Sequence, residues 1–275
     1  MKTNYTAKVR PLKIVLVQNS AGADVERNLG RIERRLGRVS AGADLIALPE
    51  VFAIRGNDAD YRAAAERLPG PITKRLMALA ARARSWILAG SVIERCRGKI
   101  YNTSVLINRQ GRIVARYRKI HLFEANLDNG QIIRESDIYA AGAKPVMAVV
   151  EGWSCGLAIC YDLRFPELFR HYSRRGAELF FVPSNFTQKT GKDHWETLVR
   201  ARAIENQAFI MAPNQCGVNP RTGIASHGHS LVAGPWGDVL AVAGDKETVL
   251  TITLQPEALR RTRARIPVLR HRRLG

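Results

Sequence analysis

"GLAICYDLRFPELFR" occupies residues 156–170. Residues 156–159 read as the end of a buried strand, and the apolar run stops at Cys160, followed by the polar pair Tyr161 and Asp162. Pro166 and Glu167 then open a helical pattern that Gly176 closes. A strand passing into a helix through a short polar turn is a building unit of an α/β sheet. The same turn sets a thiol at the mouth of that sheet. Such a cysteine is either a small hydrophobe that ends the core or a nucleophile displayed where strands stop.

The pattern extends in both directions. Residues 12–19 read as a buried strand, and Val25, Leu29, Ile32, Leu36 and Val39 mark one face of a helix over 25–39, with Asp24 as its N-cap. Residues 43–50 form a second strand ending at Pro49-Glu50, residues 72–84 a second helix, and residues 86–94 a third strand. Hairpins are predicted over 101–119 and 145–160. A helix over 165–175, a strand over 178–185, a helix over 192–206 and a strand over 208–215 follow. A hairpin over 229–244 and a strand over 248–254 close the series. Strand–helix alternation interrupted by hairpins predicts an α/β fold with a mixed sheet, or two sheets with helices outside. No linker or repeat divides residues 1–275, so one domain is expected, with a tail of about 256–275 packed at its edge or across a dimer interface.

Of the 275 residues, 46% are hydrophobic and 24% charged, the composition of an ordinary globular chain. No apolar stretch approaches the roughly 20 residues of a membrane helix, and MKTNYTAKVRPLK has no apolar signal core. A soluble, cytoplasmic protein is expected. Cysteines at 96, 155, 160 and 216 match no zinc spacing, so reduced thiols are expected, with no metal and no cofactor. The net charge of +19 raises nucleic-acid binding as a function of a different class. Against it, the basic residues are spread along the chain and 33 of the 43 are arginine. The densest cluster, LRRTRARIPVLRHRRLG, carries Ile266, Val268 and Leu269, which suit packing. No RNA-binding or helix-turn-helix pattern stands out, and nucleic acid is not the expected partner.

Three predicted strands end alike, at Glu50, Lys119 and Cys160. Singly, each has an ordinary structural explanation: an exposed turn carboxylate, a solvated basic run over 116–119, an inert buried thiol. Their flanking words change the balance. LPEVF (48–52), YRKIHLFE (117–124) and CYDLRFPELFR (160–170) resemble the three signatures of the nitrilase superfamily, the carbon–nitrogen hydrolases. PSNFTQKTGKDHWETLVRARAIENQAF (183–209), GHSLVAGPWGDVL (228–240) and IPVLRHRR (266–273) resemble its Nit-like branch, which includes omega-amidases and deaminated-glutathione amidases.

The resemblance implies a four-layer α-β-β-α sandwich with two mixed β-sheets, and protomers that assemble as a homodimer or higher homo-oligomer. It implies a Glu50, Lys119 and Cys160 triad, and a second glutamate, Glu135, sixteen residues after the lysine. On this reading Cys160 attacks an amide carbonyl, Glu50 is the base, Lys119 holds the oxyanion and the Tyr161 N–H adds a second donor. Arg164 meets a substrate carboxylate or, as the preferred reading, pairs with Asp162 or Glu167 to brace the turn. Asn185 and Phe186 are expected to line the pocket, whereas His194, Trp195 and Glu196 are expected to pack a helix. The expected substrate is a small, carboxylate-bearing linear amide. Alternatives with the same triad are a nitrilase or an N-carbamoyl amino acid amidohydrolase. A cysteine–histidine hydrolase using His121, His227 or His229 is a further possibility. Residues 53–62, 124–139 and 216–228 are predicted to form the pocket rim, with 217–228 as a mobile loop.

Overall fold

Along the strand Leu12–Gln18, six of seven residues are buried. Alternation sends Ile14 and Leu16 into one core and Val15 and Val17 into another. A strand buried on both faces reads as a continuous apolar run, which is why no polar alternation appears in the sequence. The computed structural model describes residues 9–39, 42–126 and 132–274. Part of the N-terminal segment read for a signal core lies outside these residues, as do 127–131 of the predicted rim.

A seven-stranded and a six-stranded sheet stack with helices outside both; in the first, Val92–Cys96 shares with Trp86–Leu88 the position beside Lys99–Ile107. The first runs in the order Thr248–Leu254, Leu12–Gln18, Leu45–Ala47, Trp86–Leu88, Lys99–Ile107, Ile113–Arg118. The second runs Val239–Val242, Leu231–Ala233, Phe209–Ala212, Leu179–Phe181, Trp153–Leu157, Met147–Val150. Each has a parallel centre and antiparallel flanks. Leu12, Ile14, Leu45 and Leu88 of the first sheet share a core with Trp153, Leu157, Phe181 and Met211 of the second. Outside the first sheet, Leu29, Ile32 and Leu36 of the helix Val25–Val39 and Leu76 and Leu79 of the helix Pro71–Ala83 cover Val15, Ile46 and Val105. The second sheet is covered by the helices Pro166–Arg174 and Gln188–Asn206 through Phe169, Tyr172, Trp195 and Val199. Gly156 allows this close seating: a Cβ there would lie 2.6 Å from the Tyr172 ring.

Several local expectations change. The strand predicted over 86–94 is broken into Trp86–Leu88 and Val92–Cys96, both paired with Lys99–Ile107 with a one-residue shift in register. The kink follows from Gly90, where a Cβ would stand 1.8 Å from the Pro49 carbonyl oxygen, so the backbone must bend around the Glu50 turn. The helix predicted over 192–206 begins at Gln188, because Thr187 accepts from the Thr190 N–H and caps it. Residues 217–228, read as a loop, contain paired strands at both ends. Cys216–Val218 pairs with Ala225–His227, and the Asn219 side chain donates to the Gly56 carbonyl. The Asp24 cap stands as read, its carboxylate accepting from the Arg27 N–H at 3.0 Å.

At the C-terminal end, the helix Pro256–Arg265 buries Pro256, Leu259 and Thr262. Arg263 donates to the Gln207 and Ala177 carbonyls, and Gln207 donates to the Ile266 carbonyl. Among the described residues, no helix is long and apolar enough to cross a membrane.

Candidate active site

The three strand ends converge. Glu50 follows the strand Leu45–Ala47 in a turn held by Gln215, just beyond the strand Phe209–Ala212; the Gln215 side chain donates to the Glu50 and Val51 carbonyls at 3.0 and 3.1 Å. Lys119 follows the strand Ile113–Arg118; its N–H donates to the Asn102 carbonyl and its carbonyl accepts from the Gly142 N–H. Cys160 begins a short 3₁₀ turn, Cys160–Arg164, at the end of the strand Trp153–Leu157. Its φ is +47°, a left-handed conformation uncommon outside glycine.

Asp162 joins two of these words. Its buried carboxylate accepts from Tyr117 Oη at 2.7 Å, from the Ile159 N–H at 2.8 Å and from the His121 N–H at 3.1 Å, and lies 2.7 Å from His121 Nδ1. The nucleophile turn is thereby tied to the chain on both sides of Lys119. This occupancy corrects the expected role of Arg164: Asp162 is already filled, and Arg164 instead lies 3.3 Å from His194 Nδ1, near the rings of Tyr161 and Phe186.

Lys119, only 1% exposed, donates to Glu50 Oε1 at 2.8 Å and to Glu135 Oε1 at 2.9 Å. Asn102, unremarked in the sequence, also donates to Glu50 Oε1, at 2.8 Å. Glu135 opens the short turn Glu135–Asp137, and its other oxygen accepts from the Phe123 N–H at 2.7 Å. Burial pulls the Lys119 pKa down, but the charges of Glu135 and Glu50 outweigh it and lift it well above the usual range. Burial raises the Glu135 pKa, Lys119 opposes the rise, and Glu50 adds to it. For Cys160, burial and the Glu50 charge push the thiol well up, against Lys119 and a backbone hydrogen bond from Asn185. A raised thiol pKa favours the protonated sulfur, and attack by a thiol calls for a base.

Glu50, Lys119, Glu135, Cys160 and Asn185 line one cavity of about 270 Å³. The predicted rim stretches contribute Arg55 and Tyr61, Glu135 and Tyr139, and Asn219 and Ser226. Tyr161, Arg164 and Phe186 do not line this cavity. They border a side pocket of about 20 Å³ that also touches Cys160 and Asn185. Phe186 is turned away because its ring packs 4.8 Å from Trp195. His227 and His229 stack on each other in a separate groove beside Trp195. Burial and His229 lower the His227 pKa to about 4. Trp195 packs as expected, donating to the His229 carbonyl. Among the described residues, no group of three or more His, Cys, Asp or Glu side chains is placed to hold a metal ion.

Arg55 escaped the sequence reading. It is buried, yet among the described residues its guanidinium meets only neutral oxygens, through three of its five donors: Cys216 O at 3.0 Å, Ser226 Oγ at 2.6 Å and Ser20 Oγ at 3.1 Å. One weak signal was available, an arginine set directly after the apolar run Val51 to Ile54.

The family described as carbon-nitrogen hydrolase matches residues 13–264. A deaminated glutathione amidase from Synechocystis is 39% identical over 270 residues, covering 96% of this chain and 99% of the relative. The omega-amidase NIT2 of Xenopus tropicalis is 34% identical and covers 95% of each chain. The crystal structure of XC1258 from Xanthomonas campestris, titled a CN-hydrolase superfamily protein with an arsenic adduct in the active site, superimposes with a TM-score of 0.87. It is 30% identical, over 97% of this chain and 98% of that one.

Proposed function

The chain belongs to the carbon–nitrogen hydrolase family, hydrolases of carbon–nitrogen bonds other than peptide bonds, and on that premise we propose that it is a cysteine-dependent amidase acting on a small linear ω-amide. One observation carries the reading: Lys119 bridges Glu50 and Glu135 in a cavity that also exposes Cys160.

The geometry suits a stepwise acyl transfer. Lys119 and Asn102 both occupy Glu50 Oε1, and among the described residues nothing donates to Oε2, which is left for the thiol proton. Cys160 Sγ attacks the amide carbon as Glu50 takes its proton. The Lys119 ammonium and the Tyr161 N–H hold the carbonyl oxygen as it becomes anionic. Glu50 returns the proton to the amide nitrogen, ammonia leaves and a thioester remains. Water, deprotonated by Glu50, attacks the thioester, and the carboxylic acid departs as the proton returns to sulfur. Glu135 positions Lys119, fixed in turn by the Phe123 N–H. Its carboxylate helps to keep the lysine charged in a buried site.

The amidase names of the two relatives favour an amide over a nitrile or an N-carbamoyl substrate. Among the described residues Arg164 meets a histidine and aromatic faces and no carboxylate, so it is able to receive a carboxylate on the side-pocket face of Cys160. Four free cysteines suit a reducing, cytoplasmic setting. The exposed Val239 and Val242 on an edge strand suit burial in a homodimer. A coupled ammonia assay on a panel of linear amides, carbamoyl amino acids and nitriles tests the reading. Turnover of an ω-amide that disappears in Cys160→Ala supports it; full activity in that variant defeats it.

A further inference from the structure

We propose that Arg55 is the specificity-determining residue of the cavity and binds an anionic group, a carboxylate, on the substrate. The inference rests on the amidase reading for its kinetic arm only.

Among the described residues Arg55 makes no ion pair, although it is 1% exposed. A buried cation without a counterion is costly. Its attractions to Tyr61, Cys216 and Glu247 are outweighed by burial. Glu247 itself is committed to the Ser20 N–H, Arg31 and Arg35. Three guanidinium donors go to Cys216 O, Ser226 Oγ and Ser20 Oγ, which orient the plane without neutralising it. The Nε–H is buried with no partner, and one Nη2 hydrogen remains. Two such donors match the two oxygens of a carboxylate.

Space and neighbours agree. Arg55 lines the 270 Å³ cavity that holds Cys160, whereas the side pocket near Arg164 has room for about 20 Å³. The larger part of a substrate therefore lies on the Arg55 side. Asn57, Asn219 and Thr222 add neutral polar groups to the cavity wall, which also carries Asp58, Asp137 and Arg134. Ser226 also donates to Asn185 Oδ1 at 2.6 Å, so the anion site is linked to the residue whose backbone N–H contacts the thiol.

The test compares glutaramate, which carries a terminal carboxylate, with neutral valeramide of the same length. A second matched pair carries the carboxylate on the leaving amine. In Arg55→Gln, kcat/KM for the anionic member of at least one pair is expected to fall on the order of 30-fold. The loss on its neutral partner is expected to be at least about tenfold smaller. Equal losses in both members, or no loss in either, overturn the proposal. A second arm needs no turnover: calorimetric binding of glutarate to Cys160→Ala, with and without Arg55→Gln. Weakening by about 30-fold supports the anion site, and an unchanged Kd overturns it. Arg55-dependent glutarate binding with no amide hydrolysed would defeat the amidase reading and leave this inference standing. Should Arg55→Gln not fold, Arg55→Lys, which keeps the charge but not the paired donors, is expected to show the same selective loss at smaller size; a loss equal in both members of each pair overturns the proposal.

Discussion

The two ends of the parallel strands both carry clusters of charge that bridge the sheets, and they are built on opposite plans. At the N-terminal ends, Arg10 and Arg109 each contact both Asp44 and Glu151, at 2.6 to 2.7 Å. Trp86 Nε1 adds a bond to Glu151. Two cations meet two anions, every oxygen pair is engaged, and the cluster lies at the solvent edge. At the C-terminal ends, one ammonium serves two carboxylates, a buried thiol with a raised pKa stands beside them, and an arginine keeps a buried donor unspent. Complete pairing makes a staple. Incomplete pairing around a cavity leaves groups available to a reacting molecule.

Substitutions separate the two ends, and the largest effects are expected at the C-terminal one. Cys160→Ala and Lys119→Met should each lower kcat on the order of 10⁴-fold in an ammonia-release assay, because nucleophile and oxyanion donor act as a unit. Retention of more than a few per cent of activity in either would break the contrast. Glu135→Gln keeps the shape but removes the charge that helps to hold Lys119 ionised. It should cost roughly 10²-fold in kcat with little change in KM; a loss confined to KM would instead make Glu135 a substrate contact.

At the other end the effects should appear in stability. Glu151→Gln should leave kcat/KM as in the wild type and lower the unfolding free energy by about 1 kcal/mol in urea melts, the size expected of a partly exposed ion-pair network. The pH dependence sharpens this. Burial disfavours the Glu151 carboxylate, but Arg109, Arg10 and Trp86 outweigh it and hold its pKa down to about 2. The Asp44 pKa is lowered in the same way by Arg10, the Lys13 N–H and Arg109, against burial. A depressed folded pKa means stability that is present above the unfolded value of about 4.3 and lost as pH falls through the folded one. Urea midpoints measured downward from pH 5 should therefore decline more steeply in the wild type than in Glu151→Gln. Parallel curves would remove the staple interpretation.

Much of this contrast was legible in the sequence. Continuous apolar runs announced strands buried on both faces, and Asp24, Pro166 and Gly176 marked helix ends by local chemistry alone. Glu50, Lys119 and Cys160 stood out because each ends a strand inside a distinctive word. What stayed hidden depends on contacts between distant segments. Arg55 is one of 33 arginines, and only the oxygens of Ser20, Cys216 and Ser226 single it out. Asn102 reads as one polar residue within a strand until Glu50 arrives beside it. Residues 217–228 have the composition of a loop, yet Cys216–Val218 pairs with Ala225–His227, and Arg55 and Asn219 hold the stretch through Cys216 O, Ser226 Oγ and Gly56 O. The Arg164 expectation failed for a similar reason: proximity in sequence suggested Asp162, which Tyr117 and His121 had already filled.

Cys155 and Cys160 provide the most direct test of the central claim, because both are buried thiols with raised pKa and only Cys160 faces the cavity. The enzyme should be acid-quenched during turnover of an ω-amide, digested and analysed by mass spectrometry. An acyl adduct on the sulfur of Cys160, with Cys155 unmodified, is the predicted result. Turnover at full rate with Cys160 unacylated, or with Cys160 replaced by alanine, would contradict it.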